Sequence, residues 1–296
     1  MTVAVLGATG KTGRYLVPTL LDAGHEVLAL GRDRGRLAAL DPRCRTAVVD
    51  LEAPQGLDAA LAEALTVVSL AHARFAETVL DALPVACGRV VLTGSVRCFT
   101  TLPDPAADAV RHAEAAFRAS GRPGVMLHPS MIYGAAEEQN VNRILDTIAA
   151  WPRWLPVVVP LPGGGRHRVQ PVYFEDVVAA FVAAVLRDEA PGEPIVVAGP
   201  APLSYAAMVH ACAAACGRRA HILPLPIPLL AVAAAVSPVS AAELRRSAED
   251  KSFDVTDMTA RLGVTPRPFA DGLARAVARR RGAGLAGGGA SGQSGR

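Results

Sequence analysis

The 296 residues predict an α/β chain with a doubly wound parallel sheet and a smaller C-terminal lobe for a substrate. Short β-branched runs alternate with helix-period segments through the first half, the pattern of βαβ units with helices on both sheet faces. The first run ends directly in a three-glycine turn, Gly7-x-x-Gly10-x-x-Gly13. Composition agrees, since hydrophobic residues are 51% and charged ones 19%, as in a globular rather than a disordered chain.

The elements follow in order. "TVAVLG" reads as the first strand, "GRYLVPTLLDAG" as a helix, "HEVLALGR" as the second strand and 34–40 as a short helix. "RTAVVD" (45–50), a helix over 55–64, "LTVVSLAHA" (65–73), a helix over 74–83 and "GRVVLTGS" (88–95) continue the series. A helix over 106–120 leads to the sixth strand in "PGVMLHPSMIYG" (123–134). The second half is less regular: a helix over 137–150, a Pro/Gly-rich span, a helix over 175–187, a strand at 193–199 and a helix at 203–217. The expected organisation is a dinucleotide-binding core at 1–134, an interleaved substrate lobe at 135–281, and a flexible Gly/Ser-rich tail at 282–296.

Charge and cysteine usage exclude several function classes. The net charge of +3 is carried by arginine, with Lys11 and Lys251 the only lysines, and no basic stripe is interleaved with aromatics, so nucleic acid is not an expected partner. Cys44, Cys87, Cys98, Cys212 and Cys216 form no CxxC pair and show no zinc spacing, so reduced thiols and no metal are expected. The chain opens directly on a strand, which predicts no signal peptide and a cytoplasmic location. The apolar stretch 222–236 is short for a membrane span and broken by prolines, so it predicts a buried helix. A monomer or homodimer acting on a small molecule is expected.

"GATGKTGR" (7–14) contains the "GKT" of a triphosphate loop, but G-x-x-x-x-G-K-[ST] would need glycine at Val5. Between a strand and a helix, the three glycines instead suit a pyrophosphate turn, with backbone N–H groups at a helix N-terminus. Gly7, Thr9, Gly10, Lys11, Thr12 and Gly13 are its candidate contacts. The second strand ends in Gly31–Arg32 where an NAD site usually presents an acid, and an arginine there can pair with a 2′-phosphate. Asp33 reads as a helix cap. NADP(H) is therefore expected over NAD(H). Asp50 is placed either to accept from an adenine amino group or to cap a turn. Leu70, Ala71 and His72 follow the fourth strand against the cofactor ribose, with His72 able to face the nicotinamide; Thr93 and Ser95 end the fifth strand near that ring.

Several segments in order resemble the short-chain dehydrogenase/reductase superfamily, a Rossmann-fold group, and its extended and atypical members over about residues 1–280. These are "GATGKTGR", "LHPSMIYG", "VQPVYFEDVVAAFVAAV", "PIVVAGPAPLSYAAMVHACAAACGR" and "DKSFDVTDMTARLGVTPRPFADGLA". The resemblance implies a Tyr-x-x-x-Lys pair after the fifth strand, in which tyrosine exchanges a proton with the substrate. Ser95 matches the family serine, but the tyrosine and lysine positions fall on Ala106 and Val110, and no lysine lies between Lys11 and Lys251. This departure argues against a standard alcohol dehydrogenase or full epimerase. It resembles the atypical branch of NmrA-like sensors, isoflavone-reductase-like enzymes, quinone reductases and the accessory complex I subunit. The resemblance thus implies a reductase of a small carbonyl, quinone or enone-like substrate, a non-catalytic NADP(H) sensor or assembly factor, or a nucleotide-sugar epimerase or dehydratase relative.

Catalytic candidates are Ser95 as a donor to a substrate oxygen, Arg97 as an oxyanion partner, and Tyr133 as a proton donor or a packed tyrosine. His128 reads as a buried structural histidine. Asn140, Asn142, Arg143, Arg166 and Arg168 are the nucleotide-sugar candidates, although the family's arginine position falls on Val169. Asp176 is expected to cap the helix that follows it.

Overall fold

Seven parallel strands carry the first of two units. The structure, a computed structural model, describes residues 1–187, 193–226 and 249–288. Numbered in chain order, the sheet strands are β1 (Thr2–Leu6), β2 (Glu26–Gly31), β3 (Arg45–Val48), β4 (Thr66–Ser69), β5 (Arg89–Thr93), β6 (Gly124–Pro129) and β11 (Ile195–Val197). Their order is β11-β6-β5-β4-β1-β2-β3, every neighbouring pair is parallel, and the winding reverses between β1 and β4. The doubly wound sheet expected from the alternating pattern is therefore present, and β11 adds a seventh strand.

Both faces are buried at β1, β4, β5 and β6, which is why these strands read as apolar runs, while the edge strand β3 is largely exposed. Successive side chains alternate sides. Ala4, Leu6, Leu28, Leu30, Val67, Val90, Leu92 and Met126 pack with Leu57, Leu61, Val79, Leu80 and Phe117 of the helices α3 (Leu57–Leu61), α4 (Ala76–Asp81) and α5 (Pro105–Ser120). The intervening Val3, Val5, Val68 and Val91 are buried as well, and on this unit α1 (Gly13–Asp22) packs against α7 (Phe174–Leu186). Helix α5 starts by a clear signal: Asp104 Oδ1 accepts from Ala106 N at 3.1 Å, and Pro105 occupies the first turn, where its missing N–H is not needed. Asp176 does not cap α7. It lies within the first turn, 4% exposed, where a carboxylate is favoured by the helix dipole.

The first unit comprises Met1–Ser130, Phe174–Ala198 and Asp254–Pro266, the last containing α9 (Thr256–Leu262). The second comprises Met131–Tyr173, Gly199–Phe253 and Arg267–Arg296. The first crossing therefore follows Ser130 rather than residue 134, because β7 (Ile132–Tyr133) pairs with β10 (Val172–Tyr173) of the second unit. The Pro/Gly-rich span also holds more strand than its composition suggested. In it β8 (Val157–Pro162) runs parallel to β13 (Ala220–Leu225), and β9 (Arg168–Val169) pairs antiparallel with β12 (Leu203–Ser204). Helix α8 (Tyr205–Ala215) packs on α6 (Asn140–Ala150) and on α10 (Phe269–Gly288).

Helix α10 runs to Gly288, into the stretch expected as tail. Residues 289–296 of that expected tail lie outside the described residues, as does the apolar stretch 222–236 from residue 227 onward. Among the described residues no helix is long and apolar enough to cross a membrane.

Candidate dinucleotide site

The glycine turn sits at the carboxyl end of β1, beside the point where the strand order reverses, the place where open α/β sheets bind ligands. The N–H groups of Gly7 and Ala8 donate to the Leu30 carbonyl at 3.0 and 3.2 Å, fastening the turn over β2. Gly7 has φ +77°, a left-handed conformation that favours glycine. At Gly13 a Cβ would lie 2.4 Å from the Gly7 oxygen and 2.5 Å from the Ala8 oxygen, so only glycine lets α1 approach the turn this closely. The first amides of α1 thereby stand at the rim of the turn as an anion-binding end.

A cavity of about 260 Å³ opens against this turn. Gly7, Thr9, Gly10, Gly31, Arg32, Asp50, Ala71 and His72 line it. Arg32 is exposed on its wall; Asp33 is held elsewhere, its Oδ1 accepting from Arg36 N at 3.0 Å as the cap of α2 (Arg34–Ala38). Arg36, one helical turn beyond Arg32, was missed by the sequence reading; its Nη2 donates to the Thr9 carbonyl at 2.8 Å. Asp50 lines the cavity, and its carboxylate accepts from Glu52 N at 3.0 Å, the turn-capping bond. His72 lies at this end with Arg32 and Asp50, not with the residues that close β5. Its Nδ1 accepts from Arg74 N at 3.2 Å, and the Arg74–Glu52 ion pair links the turns after β4 and β3. Arg74 also stacks on Phe75, its guanidinium 4.5 Å from the ring centroid. Leu70 packs beneath Gly7, 3.3 Å from where a Cβ would stand.

The end of β5 carries further candidates. The Thr93 hydroxyl is buried without a hydrogen-bond partner in the described residues, an orphan that a ligand hydroxyl or amide would satisfy. Ser95 Oγ accepts from Arg97 N at 3.2 Å and caps the short 3-10 turn Val96–Phe99, leaving its hydroxyl proton to donate. Arg97 is half exposed and its Nε lies 3.2 Å from the buried Asp104 carboxylate, which anchors one edge of the guanidinium. On α5, Ala106 stands in the first turn and Val110 is buried, so the positions aligned with the family pair carry no titratable group. Close by, Cys98, Glu114 and His128 converge from the 3-10 turn, α5 and β6, a group that no spacing in the chain disclosed.

Residues 7–147 match the NAD(P)H-binding family model. No curated protein matches the chain. Solved structures share its fold over nearly its whole length. UDP-glucuronic acid 4-epimerase from Bacillus cereus, solved with UDP-glucuronic acid and NAD, is 16% identical with a TM-score of 0.73, covering 96% of this chain and 100% of that one. UDP-glucose 4-epimerase from Thermus thermophilus, complexed with NAD, is 19% identical with a TM-score of 0.72 over 96% and 100%. A short-chain dehydrogenase/reductase superfamily protein from Agrobacterium tumefaciens with bound NAD is 16% identical, TM-score 0.72, over 97% and 99%. At these identities the likeness is one of fold, and it agrees with the resemblance drawn from the sequence motifs. The residues of the NAD(P)H-binding stretch fit a dinucleotide in two respects: the cradle at Gly13 excludes a side chain, and the buried Thr93 hydroxyl has no partner among the described residues.

Candidates outside this stretch, or buried within it, are differently placed. Tyr133, a catalytic candidate, is fully buried in the second unit, and its hydroxyl donates to the Phe269 carbonyl at 3.2 Å. Its ring stands edge-on to Tyr173 with centroids 5.5 Å apart. A side chain packed this way is a core tyrosine, and the role of proton donor is withdrawn. His128 is 1% exposed, in keeping with a buried position. Asn142 is buried and spans the Ala135 and Ala136 carbonyls at 2.9 and 3.3 Å, and Asn140 reaches the Ile132 carbonyl at 3.4 Å; both brace backbone rather than offer a free amide. Arg143, Arg166 and Arg168 are exposed, and the backbone N–H of Arg168 donates to Asp250 at 2.7 Å.

Proposed function

We propose that this chain is an NADP(H)-dependent oxidoreductase of the atypical short-chain type, reducing a small carbonyl, quinone or enone-like substrate as a monomer or homodimer. The observation that carries the cofactor preference is the wall of the cavity at the end of β2, where Arg32 stands and the nearest acid, Asp33, is engaged as a helix cap. Arg32, with Arg36 one turn on, supplies cations suited to a 2′-phosphate. The glycine turn and α1 hold the pyrophosphate, Asp50 the adenine side, and Thr93 the ribose of the nicotinamide half. The bound cofactor supplies hydride, a transfer that depends chiefly on proximity and orientation. Ser95 donates to the substrate oxygen and Arg97 balances its growing charge, the proton being drawn from solvent through Ser95.

The test is titration of the full chain with NADPH and NADH, followed by NADPH consumption against a panel of quinones, enones and aldehydes. NADPH is expected to bind more tightly. Arg32→Ala should weaken NADPH about 10-fold or more while leaving NADH unchanged, as loss of a charge-assisted hydrogen bond of about 1.5–3 kcal/mol implies. Equal affinity of the variant for NADPH refutes the assignment. A second reading, a non-catalytic NADP(H)-binding sensor, is favoured by Ala106 and the buried Val110 at the family's acid and lysine positions. Cofactor binding with no consumption across the panel selects it. Tight binding of a UDP- or dTDP-sugar would instead select a nucleotide-sugar enzyme.

A further inference from the structure

We infer that Cys98, Glu114 and His128 form a zinc-binding site with three protein ligands. One ligand atom from each lies within 4.8 Å of the other two, and they arrive from three separate elements of the first unit. The donor set, one thiolate, one imidazole and one carboxylate, suits zinc; calcium and magnesium take oxygen ligands alone. Zinc bonds of about 2.0–2.3 Å at tetrahedral angles put ligand atoms about 3.3–3.6 Å apart, about 1 Å closer than the widest separation here.

A second observation points the same way. His128 is 1% exposed, yet neither ring nitrogen makes a hydrogen bond among the described residues. Its Nε2 lies 3.0 Å from Glu114 Oε1, but off the line an N–H would need. An unpaired buried imidazole costs about 1–3 kcal/mol, and a metal ion is one of the few partners that would remove that cost.

The ring is also placed deliberately. A Cβ at residue 94 would come within 2.2 Å of His128 Nδ1, so glycine there makes room for the imidazole against the backbone. Phe99 packs edge-on to the ring with centroids 6.1 Å apart and shields it. Glu114 is the exposed member at 22%, and it borders an open cavity of about 370 Å³ with Phe117, Arg118 and Glu193, which gives the ion a way in.

The resting protonation state favours capture at the imidazole and opposes it at the thiol. Burial holds His128 neutral, its pKa lowered to about 4, which is the ligating form. Burial, then the Glu114 charge, push the Cys98 thiol up to about 12, so zinc binding must expel one proton from sulfur as the Zn–S bond forms. The fourth position falls to water.

The test uses the full chain purified without a metal-affinity tag, dialysed against metal-free buffer, and given zinc. Mass spectrometry of the bound metal should report about one zinc per chain, and cobalt substitution should give the thiolate charge-transfer band of a tetrahedral site. Cys98→Ser and Glu114→Gln should each lower zinc at least about fivefold and Cys98→Ser should abolish the band, while Cys87→Ser, at another buried thiol, should change neither. Glu114 is partly exposed, so its variant keeps the test sound if Cys98→Ser folds poorly. Less than about 0.1 zinc per wild-type chain with no cobalt–thiolate band overturns the proposal and leaves the three residues as a polar cluster without an ion.

Discussion

Gly13→Ala adds one methyl group to the closest backbone approach in the dinucleotide turn. The new carbon would stand 2.4 Å from the Gly7 oxygen, 2.5 Å from the Ala8 oxygen and 2.7 Å from the Ala8 carbonyl carbon. All three are backbone atoms, so no side chain can swing aside. Restoring ordinary contact requires α1 and the turn to part by nearly 1 Å. That movement strains the bonds from Gly7 N and Ala8 N to Leu30 and from Gly10 N to Gly7, each worth about 1 kcal/mol. With overpacking of about 1–3 kcal/mol and a helix-propensity gain of about 1 kcal/mol returned by alanine, the net loss is about 2–4 kcal/mol. For a chain of this length it lowers Tm by about 5–10 °C. A turn displaced on that scale no longer aligns its amides, so NADPH affinity should fall by more than about 10-fold. The assay pairs thermal unfolding with NADPH titration, using Gly88→Ala as a control, where the nearest atom to a Cβ is 3.9 Å away. Wild-type Tm and NADPH affinity in Gly13→Ala would refute the argument.

Two further outcomes are expected. Tyr133→Phe removes a hydroxyl bonded to the Phe269 carbonyl and should cost about 1 kcal/mol in urea unfolding with turnover unchanged; a large fall in kcat would restore Tyr133 to the catalytic set. Burial, then Lys251, lower the pKa of His167 below its ordinary 6.5, so the unfolded chain takes up the proton first as pH falls. Stability therefore drops as pH falls below 6.5, and His167→Gln should make that part of the profile of unfolding midpoint against pH shallower than in the wild type, the remaining slope coming from the other buried histidines, His128 foremost.

The sheet was readable because its evidence is local. β1, β2, β4, β5 and β6 are apolar runs each closed by a turn or helix signal, and burial erases polar alternation without hiding the run itself; β3, an exposed edge strand, shows only its β-branched residues. The strands β8 and β13 were not read as such, because prolines punctuate both: Pro160 and Pro162 in one, Pro224 in the other. As partners in an isolated two-stranded pair they need few ladder donors, so proline is tolerated there. The same division applies to the site. Glycine spacing, Arg32 and the cap at Asp33 all fall within the one turn–helix–strand stretch 7–33. Arg36 was legible in retrospect, one helical turn past Arg32 on α2. The Cys98–Glu114–His128 group was not, since a turn, a helix and a strand bring it together only after the sheet is laid down. Tyr133 shows the converse, for its place after β6 suggested a pocket residue, while its packing partner Phe269 is supplied by the far end of the chain.

The first unit is assembled from three separated stretches of chain, and its last strand, β11, is made some sixty residues after β6. Until Ile195–Val197 emerges from the ribosome, the outer edge of β6 has no neighbour and its backbone groups remain available to any other strand. Synthesis at about 5–20 residues per second leaves that edge open for several seconds. A fragment ending near Ser130 would carry the glycine turn and most of the dinucleotide cavity, yet it would keep this sticky edge permanently. Folding is thus committed late, and chaperone demand should peak between completion of β6 and arrival of β11.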